Sequence, residues 1–211
     1  MKLLKFYYSI ISLVLISSIS QAGSDILLIS DIDDTIKESH VLSDFDKIGN
    51  AFDTDEPFKG MSQLYRFIKM DQPGIEFHYV SNAPEFLMKD SHQKFISRNL
   101  FPNGQMHLSE KIDSTGHKVR VISNLIETRH PHTVIMLGDN GERDVFVQDT
   151  IVRKYAKQGI RFIQFIRVAY TQDDGGKALL ENQTGFITAG EIALVLMEQT
   201  KLISMMQLPF V

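Results

Sequence analysis

Between residues 26 and 196, short apolar runs alternate with segments of helical period. Ile26–Ile29, Ile75–Val80, Met106–Leu108, Thr133–Leu137 and Phe162–Val168 are three to seven residues long and mostly rich in β-branched and aromatic side chains, the pattern of buried strands. Met61, Leu64, Tyr65 and Ile68 recur at i, i+3, i+4 and i+7. Val121, Ile122, Leu125 and Ile126 give another helical face, and so do Val147, Ile151 and Tyr155. Pro84 stands where a first helical residue would, and its helix is expected to run to about Asn99. Thr188 and Glu191 form a capping box ahead of Ile192, Val195 and Leu196. Alternation of this kind predicts an α/β fold, a parallel sheet covered by helices on both faces. Segments 36–60 and 169–187 show no clear period and are read as loops or small insertions.

The 211 residues carry 22 Lys and Arg against 26 Asp and Glu, a formal net charge of −4. No basic excess is present to bind nucleic acid. There is no cysteine, which excludes disulfides, zinc–thiolate sites and thiol nucleophiles. At the start, Lys2 and Lys5 precede an uncharged, mostly apolar stretch, and Ser20-Gln-Ala22 sets small residues as at a cleavage site. Residues 1–22 are therefore expected to be a signal peptide, with residues 23–211 forming one domain that works in the periplasm or is secreted. Losing Lys2 and Lys5 leaves 20 basic against 26 acidic residues, a net charge of −6. The rival reading of the first segment is a membrane anchor, for which its strongly apolar part is short.

Ligands of doubly wound sheets bind at the carboxyl ends of the strands. The first strand is followed by Asp31-Ile-Asp33-Asp34-Thr35, the second by Ser81-Asn82, and the TVIML strand by GDNGERD, residues 138–144. These segments converge at least five carboxylates on one crevice. Mutual repulsion there calls for a divalent cation, and an all-oxygen donor set suggests Mg²⁺. A calcium loop is the alternative for the first run, but Asp34-Thr-Ile-Lys37 breaks the EF-hand pattern. A solvated acidic turn fits poorly with a run that directly follows an apolar strand.

The stretch ILLISDIDDTIK resembles the first motif of the haloacid dehalogenase superfamily, a hydrophobic strand followed by Asp-x-Asp-x-Thr. VSNAP resembles the second motif, Lys118 is placed like the lysine of the third, and GDNGERD resembles the fourth. All four occur in order across residues 26–144. SDIDDTIK, PFKGM…LYRF and FHYVSNAP further resemble the actin-patch type of phosphatidate phosphatase catalytic domain.

The resemblance implies a Rossmann-like phosphatase domain and a set of roles. Asp31 would attack phosphorus, and Asp33 would serve as acid and then base. Lys118 would stabilise nucleophile and phosphoryl group. Ser81, with Asn82 beside it, would contact substrate. Mg²⁺ would be held by Asp31, Asp139 and the Asp33 carbonyl, with Asp144 as ligand or water-orienting group. Taken alone, Lys118 reads as an exposed first-turn lysine, with Lys111 as fallback, and Ser81 reads as a helix N-cap. Thr35 is expected to fix the loop, and Asp34 to play a structural part.

His78 reads as a core histidine, His130 and His132 as a surface turn, and His117 as a possible phosphate or leaving-group contact. Neither gap between motifs is long enough for a large cap, so a phosphate on a bulky lipid would fit. A transient membrane-surface contact goes with that substrate. Phe45, Phe52 and Phe58 would form an apolar rim for it or, by default, anchor their loop to the core. The tail Leu202–Val211 is expected to pack on the body. The resemblance favours phosphatidate. The alternatives are a broad acid phosphatase acting on nucleotides or sugar phosphates, and a non-catalytic binding protein on the same scaffold.

Overall fold

The computed structural model describes residues 25–38, 56–111 and 116–204. Segment 1–22, Phe45, Phe52, most of loop 36–60 and the last seven residues of the tail lie outside them. The strands are β1 (Ile26–Ser30), β2 (Glu76–Pro84), β3 (Gln105–Ser109), β4 (Thr133–Asp139), β5 (Arg161–Arg167) and β6 (Gln183–Phe186). The helices are α1 (Met61–Asp71), α2 (Glu85–Arg98), α3 (His117–Arg129), α4 (Asp144–Tyr155) and α5 (Ala189–Val195), the last continuing into a π-helical turn, Leu196–Thr200. Among the described residues these strands form one all-parallel sheet of order β3-β2-β1-β4-β5-β6.

The chain winds outward from β1 to β3, then returns to β4 and winds outward on the other side. Right-handed crossovers put helices before and after such a reversal on opposite faces. On one face, α1, α2 and α5 bury Leu64, Tyr65, Phe95 and Ile192 against Leu28, Ile135 and Leu137. On the other, α3 and α4 bury Ile122, Leu125, Ile126 and Ile151 against Leu27, Ile29, Val134 and Met136. Successive residues of β1 and β4 thus alternate between two cores, as the two-residue period of a strand requires. Each fully buried aliphatic side chain contributes about 1.5–3 kcal/mol.

Three expectations need correction. Pro84 is the N-cap of α2 and the last residue of β2, with extended backbone (φ −64°, ψ 128°), so the helix starts at Glu85. Ser81 therefore lies in β2, three residues short of the helix cap, and is not an N-cap. The segment 169–187 contains β6, an edge strand whose short QTGF sequence carries little β signal. The capping box at Thr188 and Glu191 is formed. Phe58 packs against the first core, and Leu202 and Ile203 join it. His132 pairs with Asp25 in the open at the far end of β4. His78 is buried, with Nδ1 3.1 Å from His107 Nε2, and burial together with His107 lowers it to about 4. No helix among the described residues is long and apolar enough to cross a membrane.

Candidate active site

The reversal between β1 and β4 opens a crevice at their carboxyl ends, the place where ligands bind in such sheets. β1 aims Asp31 into it. The Asp31 N–H donates to the Leu137 carbonyl at 2.9 Å, extending the β1–β4 pairing by one step. Tyr65 of α1 donates to Ser30 Oγ (2.8 Å), which donates to the Asp31 carbonyl (2.6 Å). The chain then turns tightly: the N–H groups of Ile36 and Lys37 both reach the Ile32 carbonyl at 3.0 Å. That turn needs a left-handed residue, and Asp34 supplies it at φ 53°. Thr35 Oγ1 donates to Asp31 Oδ2 at 3.1 Å, the loop-fixing bond expected of it.

β4 delivers Asp139, and the N-terminus of α4 delivers Asp144. The N–H groups of Gly141 and Glu142 donate to Asp139 Oδ1 at 2.5 and 3.2 Å. Gly138 makes this fold-back possible. A Cβ there would sit 2.5 Å from the Cβ of Asp144 and 2.6 Å from its Oδ2. Gly138→Ala is expected to cost about 1–3 kcal/mol of stability in urea unfolding, with Asp144 displaced.

Asp31, Asp139 and Asp144 are all buried, and one oxygen of each lies within 4.8 Å of the others. Lys118 enters from the first turn of α3, after Gly116 caps that helix at φ 79°. Its Nζ donates to Asp31 Oδ1 at 2.7 Å and to Asp144 Oδ1 at 2.6 Å. Lys118 is 3% exposed, which overturns the surface-lysine reading. The fallback, Lys111, is exposed at the end of β3.

Burial is the chief force on these groups. It holds Asp31 well above the usual carboxylate range against the pull of Lys118. Burial and then Asp144 raise Asp139 to about 7. Burial opposes the charge of Lys118, but Asp144 and Asp31 outweigh it and push its ammonium well up. Fully ionised, three carboxylates against one ammonium would leave the cluster two charges in excess, and half-buried Glu142 stands beside it. Carboxylate oxygens with that excess fit Mg²⁺. Below pH 7 a cation would have to displace the proton of Asp139. Affinity for Mg²⁺ is therefore expected to rise at least about tenfold between pH 5.5 and 8, measured by calorimetry.

Asp33 points elsewhere. Its Oδ2 lies 3.2 Å from Nε2 of His92 on α2. Burial would raise it, but the His92 ring, Lys37 and Lys118 together bring it below its ordinary value. Ser81 is buried, and its Oγ accepts the Ala83 N–H at 3.0 Å. Asn82 is half-buried and hydrogen-bonds Glu142. His117 does not reach the acidic cluster. It lines a cavity of about 590 Å³ beside β3, with Nε2 3.4 Å from the His107 carbonyl.

Two residues near the site escaped the sequence reading. Tyr170 donates to Asp34 Oδ2 at 2.5 Å. Asn140 fixes the Tyr170 segment by accepting the N–H groups of Ala169 (2.9 Å) and Tyr170 (3.0 Å) and donating to the Tyr170 carbonyl (2.7 Å). His92 is the other. On a weakly patterned helix, neither its inward face nor its neighbour could be read from spacing.

Residues 26–167 match the family described as Phosphatidate phosphatase APP1, catalytic domain. The chain belongs to this family. The APP1 catalytic-domain match runs from β1 to the end of β5 and so contains every residue of the acidic cluster. Phosphatidate phosphatase APP1 of Saccharomyces cerevisiae is 30% identical over 146 residues. That alignment covers 62% of this chain and 24% of the yeast protein, so the chain matches about a quarter of its relative's length. Membership places the chain among phosphatase catalytic domains.

Proposed function

We propose that this domain is a Mg²⁺-dependent phosphomonoesterase acting through an aspartyl-phosphate on phosphatidate or a related lipid phosphate. The observation that carries the reading is the setting of Asp31, a buried carboxylate held by Lys118 and Thr35 at the crevice between β1 and β4. The lipid class follows from what the family's name and the yeast relative's name state.

Asp31 attacks phosphorus with one carboxylate oxygen, and the bond from phosphorus to the ester oxygen breaks. Asp33, ionised in the free site, takes up a proton from solvent once the phosphate dianion stands beside it, and gives that proton to the departing alkoxide. A water then attacks the phosphorus of the acyl phosphate, and Asp33 takes a proton from it. The bond between phosphorus and Asp31 breaks, which restores the Asp31 carboxylate, leaves Asp33 protonated for the next turnover and frees phosphate. Lys118 offsets charge on the attacking oxygen and the transferred group. Ser81 and Asn82 line the substrate side. Asp31, Asp139, Asp144 and the Asp33 carbonyl would hold Mg²⁺, which when bound neutralises charge on the phosphoryl oxygens.

The test is phosphate release by residues 23–211 from phosphatidate in mixed micelles and from a small aryl phosphate, with Mg²⁺ or EDTA. Mg²⁺-dependent release from phosphatidate is expected. Release from the aryl phosphate alone would move the substrate to soluble monoesters, and silence on both would leave a binding protein. The same reading has the domain exported, with a mature chain beginning at Gly23. Intact-mass measurement of the protein recovered outside the cytoplasm tests that point.

A further inference from the structure

The inward face of α2 is formed by Met88, His92, Phe95 and Ile96. Three of these are apolar. The fourth, His92, is completely buried, and neither ring nitrogen has an aligned hydrogen-bond partner. A buried imidazole without a partner is costly, and a leucine or methionine would fill the same space without that cost. Packing therefore gives no reason for a histidine here. The one group that does is Asp33, whose Oδ2 lies 3.2 Å from His92 Nε2. That distance is within hydrogen-bond reach, and only alignment is missing. Such bonds are often poorly aligned in a ligand-free site and tighten when substrate binds. The Asp33 side chain is 19% exposed, so its other edge faces outward.

We propose that His92 is a positioning residue for Asp33: its Nε2–H engages Oδ2 and leaves Oδ1 as the oxygen that exchanges the catalytic proton. The inference rests on the function proposed above. The proton on Oδ1 passes to the ester oxygen as the phosphorus–oxygen bond breaks. In the second half-reaction, a proton of the attacking water returns to Oδ1. His92 keeps its own proton throughout and touches neither substrate nor phosphorus.

The roles separate by leaving group. An alkyl phosphate has a poor leaving group and needs the acid, whereas 4-nitrophenyl phosphate has a good one and needs it little. The variants are His92→Met, which fills the space without a donor, and His92→Gln, which returns an N–H near the position of Nε2. Values of kcat/KM are compared on glycerol phosphate and 4-nitrophenyl phosphate, because this ratio reports the step in which the leaving group departs. For His92→Met, a loss of about 100-fold is expected on the alkyl ester and less than about fivefold on the aryl ester. Its urea midpoint should equal or exceed wild type. His92→Gln should recover about tenfold on the alkyl ester. In an Asp33→Asn background, His92→Met should have no further effect.

Equal losses on the two esters, or no loss on the alkyl ester, would overturn the proposal. So would lower stability that accounts for the lost activity in both variants. Phosphatidate takes the place of glycerol phosphate as the alkyl ester if the protein accepts only lipid esters; if the wild-type protein releases phosphate from none of the three, the phosphatase reading itself fails, and the role of His92 falls with it.

Discussion

Asp31→Asn is expected to lower Mg²⁺-dependent phosphate release by about 10⁴-fold or more on every ester the protein accepts. The amide cannot form the acyl phosphate, and no neighbouring carboxylate stands ready to replace it. Asp139 Oδ1 is engaged by two backbone N–H groups, and Asp144 lies at the start of a different helix. The fold should survive. Asparagine is nearly isosteric, Thr35 keeps an acceptor at the carbonyl oxygen, and Lys118 keeps its bond to Asp144. Urea unfolding within about 1 kcal/mol of wild type, together with lost turnover, separates a chemical effect from a structural one. Acid-quenched wild-type protein should carry phosphate on the peptide containing Asp31. Asp31→Asn protein with more than a tenth of wild-type activity would exclude Asp31 as nucleophile.

Lys118→Met should be the more damaging change to the fold. Lys118 is the ammonium bonded to both Asp31 and Asp144, and its removal leaves the buried carboxylates facing one another. Breaking a buried ionic cluster in this way costs about 3–5 kcal/mol. The loss should depend on pH, with a definite sign. Asp139 titrates near 7 in the folded protein, against 3.8 for an ordinary aspartate. Folding that keeps its proton is favoured at low pH, and this contribution fades as pH rises from about 4 to 7. Lys118 opposes the repulsion that grows over the same range. The stability gap between Lys118→Met and wild type in EDTA should therefore be wide at pH 8 and narrow at pH 5. Mg²⁺ should close part of it by binding only the folded chain. Turnover in saturating Mg²⁺ should fall by about 10²–10³-fold. A gap independent of pH would mean that Lys118 matters for packing and not for charge.

Much of this site was legible because the fold places it by rule. A parallel sheet puts chemistry at strand ends, so Asp31, Ser81 and Asp139 could be read from the apolar runs that precede them. Lys118 was harder. A lysine in the first turn of a helix is ordinarily solvated, and only its order among the motifs singled it out. Its burial is a tertiary fact, set by where α3 docks beside β1. His92 was illegible for the same reason, since nothing in the spacing of α2 says which polar residue turns inward. Asn140 reads in sequence as half of an Asn-Gly turn. Its second role, anchoring the Tyr170 segment across the crevice, joins residues thirty apart that no local pattern connects. The edge strand β6 went unseen because four residues pairing with β5 need little propensity of their own.

The strand order has a consequence for how the chain acquires activity. β1 is among the first described residues to be synthesised, yet its partners on either side are β2 and β4, and β4 begins more than a hundred positions later. Closing so long a loop is slow, and parallel pairing cannot begin with a hairpin. The Asp31 carboxylate thus emerges early but gains its surroundings only when β4 docks and brings Asp139 and Asp144 with it. Any fragment ending before that strand carries Asp31 with no cluster to organise it. Chemical competence and completion of the central sheet should appear in a single kinetic step.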